Sequence, residues 1–419
     1  MSISELPLEH WELATNWRDG GSPISSNGIS PKGSAGPGEG DGEATVSLGL
    51  LRTCFSERYG SHIPRMIHDL LLDIGQAFTA SGDEARAAAL LDQGKGEKPG
   101  RGADSASTTT SPVTFHVTEY DVIRGQYPRS WEDHAGYIIP GGVASAVGKE
   151  PWVTTLLDEV KGLRKTGRPV LAICLGHQVL AQGLGGLVQP RVGSDRHYAL
   201  QESELLFSPA ESPSPSPSPS SCTPLGVVRD AVATVRKNDA GVSGGNGGGD
   251  SDVKGEGSPP PPLRLLYHHN DEVLELPPGA TNIATSERCR IHGMMMMPEA
   301  PTPASALAPS LPSAEAATAA SVASAPTVSI TPSSGKQELS APNVLTFQAH
   351  PELNYDYGRR VMNGMLDADV THGRLTHEDA DRLKEQVLAW DHEEFPVAIE
   401  LMRRLFAPIV PRSHGGSSG

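Results

Sequence analysis

The sequence lacks the features that are typical of a membrane or nucleic-acid-binding protein. None of its apolar runs approaches the length of a membrane-spanning helix. Its formal net charge is −16, and an acidic chain disfavours a phosphate backbone or an anionic lipid surface as its main partner. The first residues carry acidic side chains and no apolar run, so we expect neither a secretory signal nor a transit peptide. We therefore predict no nucleic-acid partner and no membrane contact.

Cysteine is also scarce. The four cysteines are Cys54, Cys174, Cys222 and Cys289, and no two of them have the Cys-X-X-Cys spacing. This scatter predicts neither a zinc site nor a disulfide framework. We expect no metal and no cofactor, and a reducing cytosol as the compartment.

Aromatic residues make up only 5% of the chain, whereas glycine (46) and proline (36) are abundant. Tracts rich in Gly, Ser, Pro or Ala cannot bury enough apolar surface to offset the entropy of ordering them. We therefore predict one folded domain over residues 44–407, with disordered tails and low-complexity insertions. The predicted tails are residues 1–43 and 408–419, and the predicted insertions are residues 94–111, 208–262 and 298–342. The methionine run at 294–297 is placed at the edge of the last tract, and no metal role is assigned to it.

Short apolar strands alternate with helical segments along the predicted domain. Strands are predicted over residues 45–51, 113–117 and 137–139, and helices over 61–71, 151–160, 377–390 and 395–406. Repeated strand–helix units of this kind are typical of an α/β fold: a mostly parallel open sheet with helices on both faces.

One apolar run ends in a cysteine. Residues 169–173 are predicted to be a buried parallel strand, and a helix-compatible segment begins directly after Cys174. A sharp strand-to-helix turn would present the thiol at the carboxyl end of the strand, where a helix N-terminus favours a thiolate. The unpaired N–H groups of that helix could also receive a developing oxyanion. The alternative is a buried structural cysteine.

A second apolar run, residues 344–349, ends at His350. A cysteine nucleophile needs a base to take its proton, and the base needs an acidic partner on its other ring nitrogen. His350 can be the base, and Glu352, separated from it by a rigid proline, can orient the imidazole. Because several strands of one sheet bring their ends to the same edge, these groups can meet although they are far apart in sequence.

These segments resemble a known family. Cys-Leu-Gly-His-Gln at 174–178 together with His-Pro-Glu at 350–352 resembles the class I glutamine amidotransferases that have a Cys-His-Glu triad. Tyr-Ile-Ile-Pro-Gly-Gly at 137–142 is similar to the strand and glycine turn of the family's oxyanion hole. Residues 267–280 resemble the Ser-His-X-Asp segment of the GMP synthetase type, with His268 in place of the serine. The resemblance favours the free-standing GMP synthetase-like branch, which includes plant γ-glutamyl peptidases, and implies a flavodoxin-like fold.

The resemblance implies a γ-glutamyl thioester mechanism and a set of site residues. Cys174 would be the nucleophile, His350 the base and Glu352 the residue that orients it. Backbone N–H groups of Gly141, Gly142 and Leu175 would hold the oxyanion, and Gln178, His269 and Asp271 would lie at the substrate. His177, next to the nucleophile, is interpreted as structural.

Three functions remain open at this point. The protein could be a glutaminase that passes ammonia to a separate synthetase partner. It could be a γ-glutamyl peptidase that cleaves glutathione-like compounds. It could also be an inactive scaffold or binding protein. In the first two cases the ligand is a small γ-glutamyl molecule.

Overall fold

A computed structural model describes residues 45–54, 62–93, 113–191, 197–206, 223–242, 263–299, 341–389 and 395–410. The main sheet has nine strands in the order β2-β1-β3-β4-β11-β10-β9-β6-β7, and β5 pairs with β8 in a separate two-stranded sheet. The strands are β1 (Thr45–Arg52), β2 (Thr114–Asp121), β3 (Gly136–Ile139), β4 (Val170–Ile173), β5 (Leu187–Pro190), β6 (His197–Leu205), β7 (Leu263–His269), β8 (Asp271–Glu275), β9 (Ala280–Thr285), β10 (Gly293–Met296) and β11 (Val344–Phe347).

Seven α-helices connect and cover these strands in the part of the chain that the structure describes. They are α1 (His62–Gln93), α2 (Pro151–Lys165), α3 (Leu175–Gly183), α4 (Pro224–Val242), α5 (Asp356–Thr371), α6 (His377–Ala389) and α7 (Phe395–Phe406). Short 3-10 turns lie at Val122–Arg124, Pro351–Leu353 and Ala407–Ile409. None of these helices combines the length and the apolar character that crossing a bilayer requires.

The sheet separates two hydrophobic clusters, which places helices on both of its faces. Alternate residues of β4 point to opposite faces, so that Leu171 and Ile173 join one cluster while Val170 and Ala172 join the other. The first cluster contains buried side chains of α1 and α4–α7, and the second contains those of α2 and α3. The predicted α/β fold with a parallel open sheet is confirmed.

The parallel strands β2-β1-β3-β4-β11 place the site. Strand β4 lies between β3 and β11 and pairs with both in parallel register, Phe347 opposite Ile173 and Ile139 opposite Ala172. The carboxyl ends of these three strands therefore meet at one edge. Four antiparallel strands, β10, β9, β6 and β7, extend the sheet beyond β11.

Two expectations from the sequence differ from the structure. Helix α4 lies inside the segment 208–262, where we predicted a low-complexity insertion, and buries Val228 and Ala231 in the core. Its apolar residues recur at helical spacing, but the flanking Ser-Pro and Gly tracts obscured them. The methionine run is also part of the fold, since Met294 and Met295 are fully buried in β10 between β9 and β11.

Most of the other predicted tails and insertions fall outside the described residues. This applies to residues 1–43, 94–111 and most of 298–342. Residues 408–410, which we assigned to the C-terminal tail, are described and include the end of the last 3-10 turn.

Candidate active site

Cys174 occupies a strained turn between β4 and α3. Its backbone has φ 49° and ψ −105°, and it is the one non-glycine residue with positive φ in the described ranges. Its N–H donates to the carbonyl of Phe347 at 2.7 Å, which ties the turn to β11. A left-handed backbone at a residue with a side chain costs free energy, and such strain often marks a functional position. The predicted elbow geometry is therefore present.

Gly176 allows the helix to start so close to the sheet. A Cβ atom at this position would lie 2.1 Å from the carbonyl oxygen of Ile139 on β3. No side chain fits there, so the first turn of α3 packs backbone against backbone. This close packing holds Cys174 at the carboxyl edge of the sheet.

His350 and Glu352 follow β11 and form a buried pair. The Nδ1 atom of His350 lies 2.8 Å from Oε1 of Glu352, and the two residues are 7% and 4% exposed. Pro351 begins the 3-10 turn Pro351–Leu353 directly after the imidazole, and its fixed φ suits the first position of such a turn. The carboxylate thus leaves Nε2 as the ring nitrogen available for proton transfer.

The environment of His350 favours the charged imidazole. Burial by itself lowers the pKa of His350, but charge interactions and hydrogen bonds with Cys174 and Glu352 outweigh it and raise the pKa well above its usual value. Burial raises the pKa of the Cys54 thiol and of the Cys289 thiol to about 12.

Gly141 lies where Cys174 and His350 meet. A Cβ atom on Gly141 would be 3.4 Å from Cβ of Cys174 and 2.8 Å from Cε1 of His350. The resemblance assigns the backbone of this glycine turn to the oxyanion hole. The structure gives Gly141 a further role, because it leaves room for the His350 ring.

The glycine turn is held by Thr53, a residue that the sequence analysis did not single out. The hydroxyl of Thr53 donates to the carbonyl of Gly141 at 2.8 Å. Because the peptide is planar and trans, the N–H of Gly142 points away from that hydroxyl. A Cβ on Gly142 would lie 2.7 Å from the Leu175 side chain, so the two predicted oxyanion segments are in contact.

Arg52 holds the segment that carries Thr53. This buried guanidinium donates to the carbonyl of Cys54 at 2.7 Å and to Asp121 at 2.7 Å, and it pairs with Glu119 at 2.5 Å. A charged residue at the end of an apolar strand is the only sequence signal for this anchor.

Gln178, His269 and Asp271, the residues expected at the substrate, contact one another in the structure. The carbonyl of Asp271 accepts hydrogen bonds from Gln178 Nε2 at 2.8 Å and from His269 Nδ1 at 2.9 Å. All three residues are buried. The described contacts of Gln178 are therefore with protein groups, Asp271 and Gln348.

Ser145 links this group to the loop that follows the glycine turn. Its hydroxyl donates to the carboxylate of Asp271 at 2.5 Å. No sequence pattern indicates this contact, because Ser145 and Asp271 are brought together only by the folded chain.

His177 is fully buried, and its Nδ1 lies 2.6 Å from the hydroxyl of Thr346. Burial lowers the pKa of His177 to about 3, so this ring is neutral and agrees with a structural role. In the described ranges no cluster of three or more His, Cys, Asp or Glu side chains could hold a metal ion.

One protein-family model matches part of the chain. Residues 108–303 match the family model described as glutamine amidotransferase class-I. The matched segment contains Cys174 and Asp271 and ends before His350 and Glu352.

Three curated relatives differ in the extent of the match. The glutamine amidotransferase-like protein chyE of Penicillium rubens is 24% identical over 293 residues, covering 66% of this chain and 82% of that protein. γ-Glutamyl peptidase 3 of Arabidopsis thaliana is 27% identical over 175 residues, covering 41% of this chain and 55% of that protein. The pyridoxal 5'-phosphate synthase subunit PdxT of Moorella thermoacetica is 42% identical over 62 residues, covering 15% of this chain and 33% of that protein. The chain thus spans most of the fungal relative but only about half of the plant one.

Among solved structures, a glutamine amidotransferase from Thermotoga maritima aligns with a TM-score of 0.44 at 16% identity. The alignment covers 88% of this chain and 99% of that chain.

Proposed function

We propose that this protein hydrolyses γ-glutamyl amides through a thioester on Cys174. The observation that carries the proposal is the meeting of a strained Cys174 with the buried His350–Glu352 pair at one edge of the sheet. The match of residues 108–303 to the glutamine amidotransferase class-I family model supports this chemistry.

In the first half of the reaction, the proton from the Cys174 thiol is held on His350, and Sγ attacks the γ-carbonyl carbon of the substrate. The new S–C bond gives a tetrahedral oxyanion, held by backbone N–H groups of Leu175 and the glycine turn. The C–N bond then breaks, and the departing amine takes the proton from His350. Glu352 keeps the imidazole in the correct tautomer and stabilises its charged form.

In the second half, water attacks the thioester carbonyl with His350 again as the base. The S–C bond breaks, the thiol regains its proton, and the γ-carboxyl group of glutamate is released. This deacylation uses the same oxyanion site as acylation, so that one arrangement of Cys174 and His350 serves both steps.

The buried carboxylate of Asp271 is the group we assign to the substrate's α-ammonium. In the described residues its carboxylate contacts are with the neutral groups of Ser145 and Asn270. A buried carboxylate with neutral partners is suited to a cation supplied by a ligand.

Two substrate classes fit this chemistry. Glutamine would release ammonia. The similarity to a protein named a synthase subunit favours a partner protein that consumes this ammonia. A γ-glutamyl peptide would release an amino compound, and this second candidate is favoured by the plant relatives named γ-glutamyl peptidases.

The test is to incubate the purified protein separately with glutamine and with glutathione and to measure glutamate. Release from glutamine alone identifies a glutaminase, and release from glutathione identifies a peptidase. Absence of glutamate in both incubations would contradict the proposal and favour a binding or scaffold role.

A further inference from the structure

Strand β7 contacts both candidate catalytic residues through alternate carbonyl groups. The carbonyl of Leu266 accepts the N–H of His350 at 2.8 Å. The carbonyl of His268 lies 3.9 Å from Sγ of Cys174, with the thiol as donor. Carbonyl groups of residues two apart on a strand point to the same side, so one edge of β7 faces the active site.

Strand β7 can present this edge to the active site because it is the last strand in the sheet order of the described residues. On its other side β7 pairs with β6 in antiparallel register, with His268 opposite Tyr198. Although β7 lies five places from β4 in that order, it reaches Cys174. The antiparallel part of the sheet must therefore fold back over the carboxyl ends of the parallel strands.

The side chain of His268 is held by a buried carboxylate on α5. Its Nε2 lies 2.9 Å from Oδ2 of Asp369, whose side chain is 3% exposed. The other oxygen, Oδ1, accepts from Arg374 Nη1 at 2.9 Å. The carbonyl of Asp369 also accepts the N–H of Arg374 at 2.8 Å, so the guanidinium and the carboxylate are fixed relative to each other.

Asp369 is a strong anchor because it stays ionised. Burial by itself raises the pKa of Asp369, but hydrogen bonds and charge interactions with His268 and Arg374 reverse this and lower the pKa to about 2. A charged acceptor forms stronger hydrogen bonds than a neutral one. Helix α5 begins four residues after Glu352, so Asp369 lies on the helix that follows the His350–Glu352 pair in the chain.

From these contacts we infer that His268, Asp369 and Arg374 form a positioning unit that sets the place of the His268 carbonyl against the Cys174 thiol. The inference concerns how the proposed nucleophile is held and rests on the proposed function for its effect on turnover. The carbonyl lies against the sulfur and so selects one orientation of Sγ.

The unit predicts a specific effect on thiol chemistry. Asp369→Asn keeps the shape of the side chain but removes the charge that holds His268. The carbonyl then loses its fixed place, and the rate at which iodoacetamide alkylates Cys174 at a fixed pH should rise, because Sγ is no longer held in one orientation. Turnover should fall roughly tenfold to a hundredfold, the size of effect expected from small misplacements of reacting groups.

The matched control is Asp367→Asn on the same helix. Asp367 is exposed and pairs with Lys384, so this change removes an equal charge without touching His268. The titratable groups that interact with Cys174, namely His350 and the Cys54 thiol, are unchanged in both variants. Asp367→Asn should therefore leave the alkylation rate as in the wild type.

A second pair of variants keeps the inference testable if Asp369→Asn does not fold. His268→Gln retains an N–H donor that can reach Asp369, whereas His268→Ala retains none. The glutamine variant should have an alkylation rate close to that of the wild type, whereas the alanine variant should not. A residue that only stabilised the fold would show no such difference at equal melting temperature.

The alkylation rate is measured without substrate, so it tests the positioning unit even if no glutamate is ever released. An Asp369→Asn rate equal to that of the wild type or of Asp367→Asn would overturn the inference. A faster rate confined to Asp369→Asn and His268→Ala would support it.

Discussion

Gly141 and His350 are packed so closely that a methyl group on Gly141 would lie 2.8 Å from Cε1 of the imidazole. Gly141→Ala should therefore displace the ring and lower glutamate release by roughly a hundredfold or more. The matched control is Gly167→Ala at the opposite end of β4, where φ is +69° and the nearest atom to the added Cβ is 4.0 Å away. That control should cost roughly 1–2 kcal/mol of stability through backbone strain and keep its activity. Equal activity in the two variants would contradict this account of Gly141.

Glu352 is expected to orient His350 rather than to contact the substrate. Glu352→Gln keeps the shape but loses the charge, so kcat should fall by roughly two to four powers of ten while KM changes little. Steady-state kinetics on this variant separates the alternatives. A nearly silent change would make Glu352 merely structural, and a raised KM at constant kcat would make it a ligand for the substrate.

The raised pKa of His350 predicts a pH-dependent contribution to stability. The folded state holds the imidazole proton more tightly than the unfolded chain, through Cys174 and Glu352. The stabilisation is therefore fully present below the unfolded pKa of about 6.5 and is lost as the pH rises through the folded value. Chemical denaturation of the wild type and His350→Gln should show their difference shrinking with increasing pH.

His177 provides a contrast of opposite sign. Since burial lowers its pKa to about 3, the unfolded chain takes up a proton that the folded protein does not. The free energy of unfolding of the wild type should therefore decrease as the pH falls from about 6.5 towards the folded value. His177→Gln should lack this decrease. A pH-independent difference for both variants would contradict the assigned protonation states.

Ser145→Ala should affect substrate binding through Asp271. The change removes the hydroxyl that donates to the Asp271 carboxylate at 2.5 Å, and hydrogen bonds to charged groups are worth about 1.5–3 kcal/mol. We expect KM to rise about tenfold or more with kcat little changed. Thr155→Ala removes a hydroxyl from the exposed face of α2 and should leave both constants unchanged. A fall in kcat at constant KM would instead place Ser145 in the chemical steps.

The candidate triad could be predicted because its members lie just beyond the ends of two buried strands. Cys174 follows β4, His350 and Glu352 come soon after β11, and parallel neighbours place their carboxyl ends together. The fold could be predicted from the alternation of strands and helices, because short apolar strands and amphipathic helices have distinct hydrophobic periods.

The supporting contacts could not be predicted, because they join residues whose sequence surroundings carry no signal. Thr53, Ser145 and Asp369 each reach the site from a different loop or helix, and their partners are set only by the packed chain. Helix α4 was missed for a local reason, since its apolar spacing lies between tracts of Ser-Pro and Gly.

The most direct test of the central claim is to find which cysteine reacts with a glutamine-analogue electrophile. Digestion and mass spectrometry of the treated protein should place the adduct on Cys174. Cys54 and Cys289 should not react, because burial raises the pKa of each of these thiols to about 12. Cys174→Ser should lose both the adduct and glutamate release, while Cys289→Ser should keep both. Undiminished glutamate release by Cys174→Ser, or an adduct on another cysteine, would contradict the assignment of Cys174 as the nucleophile.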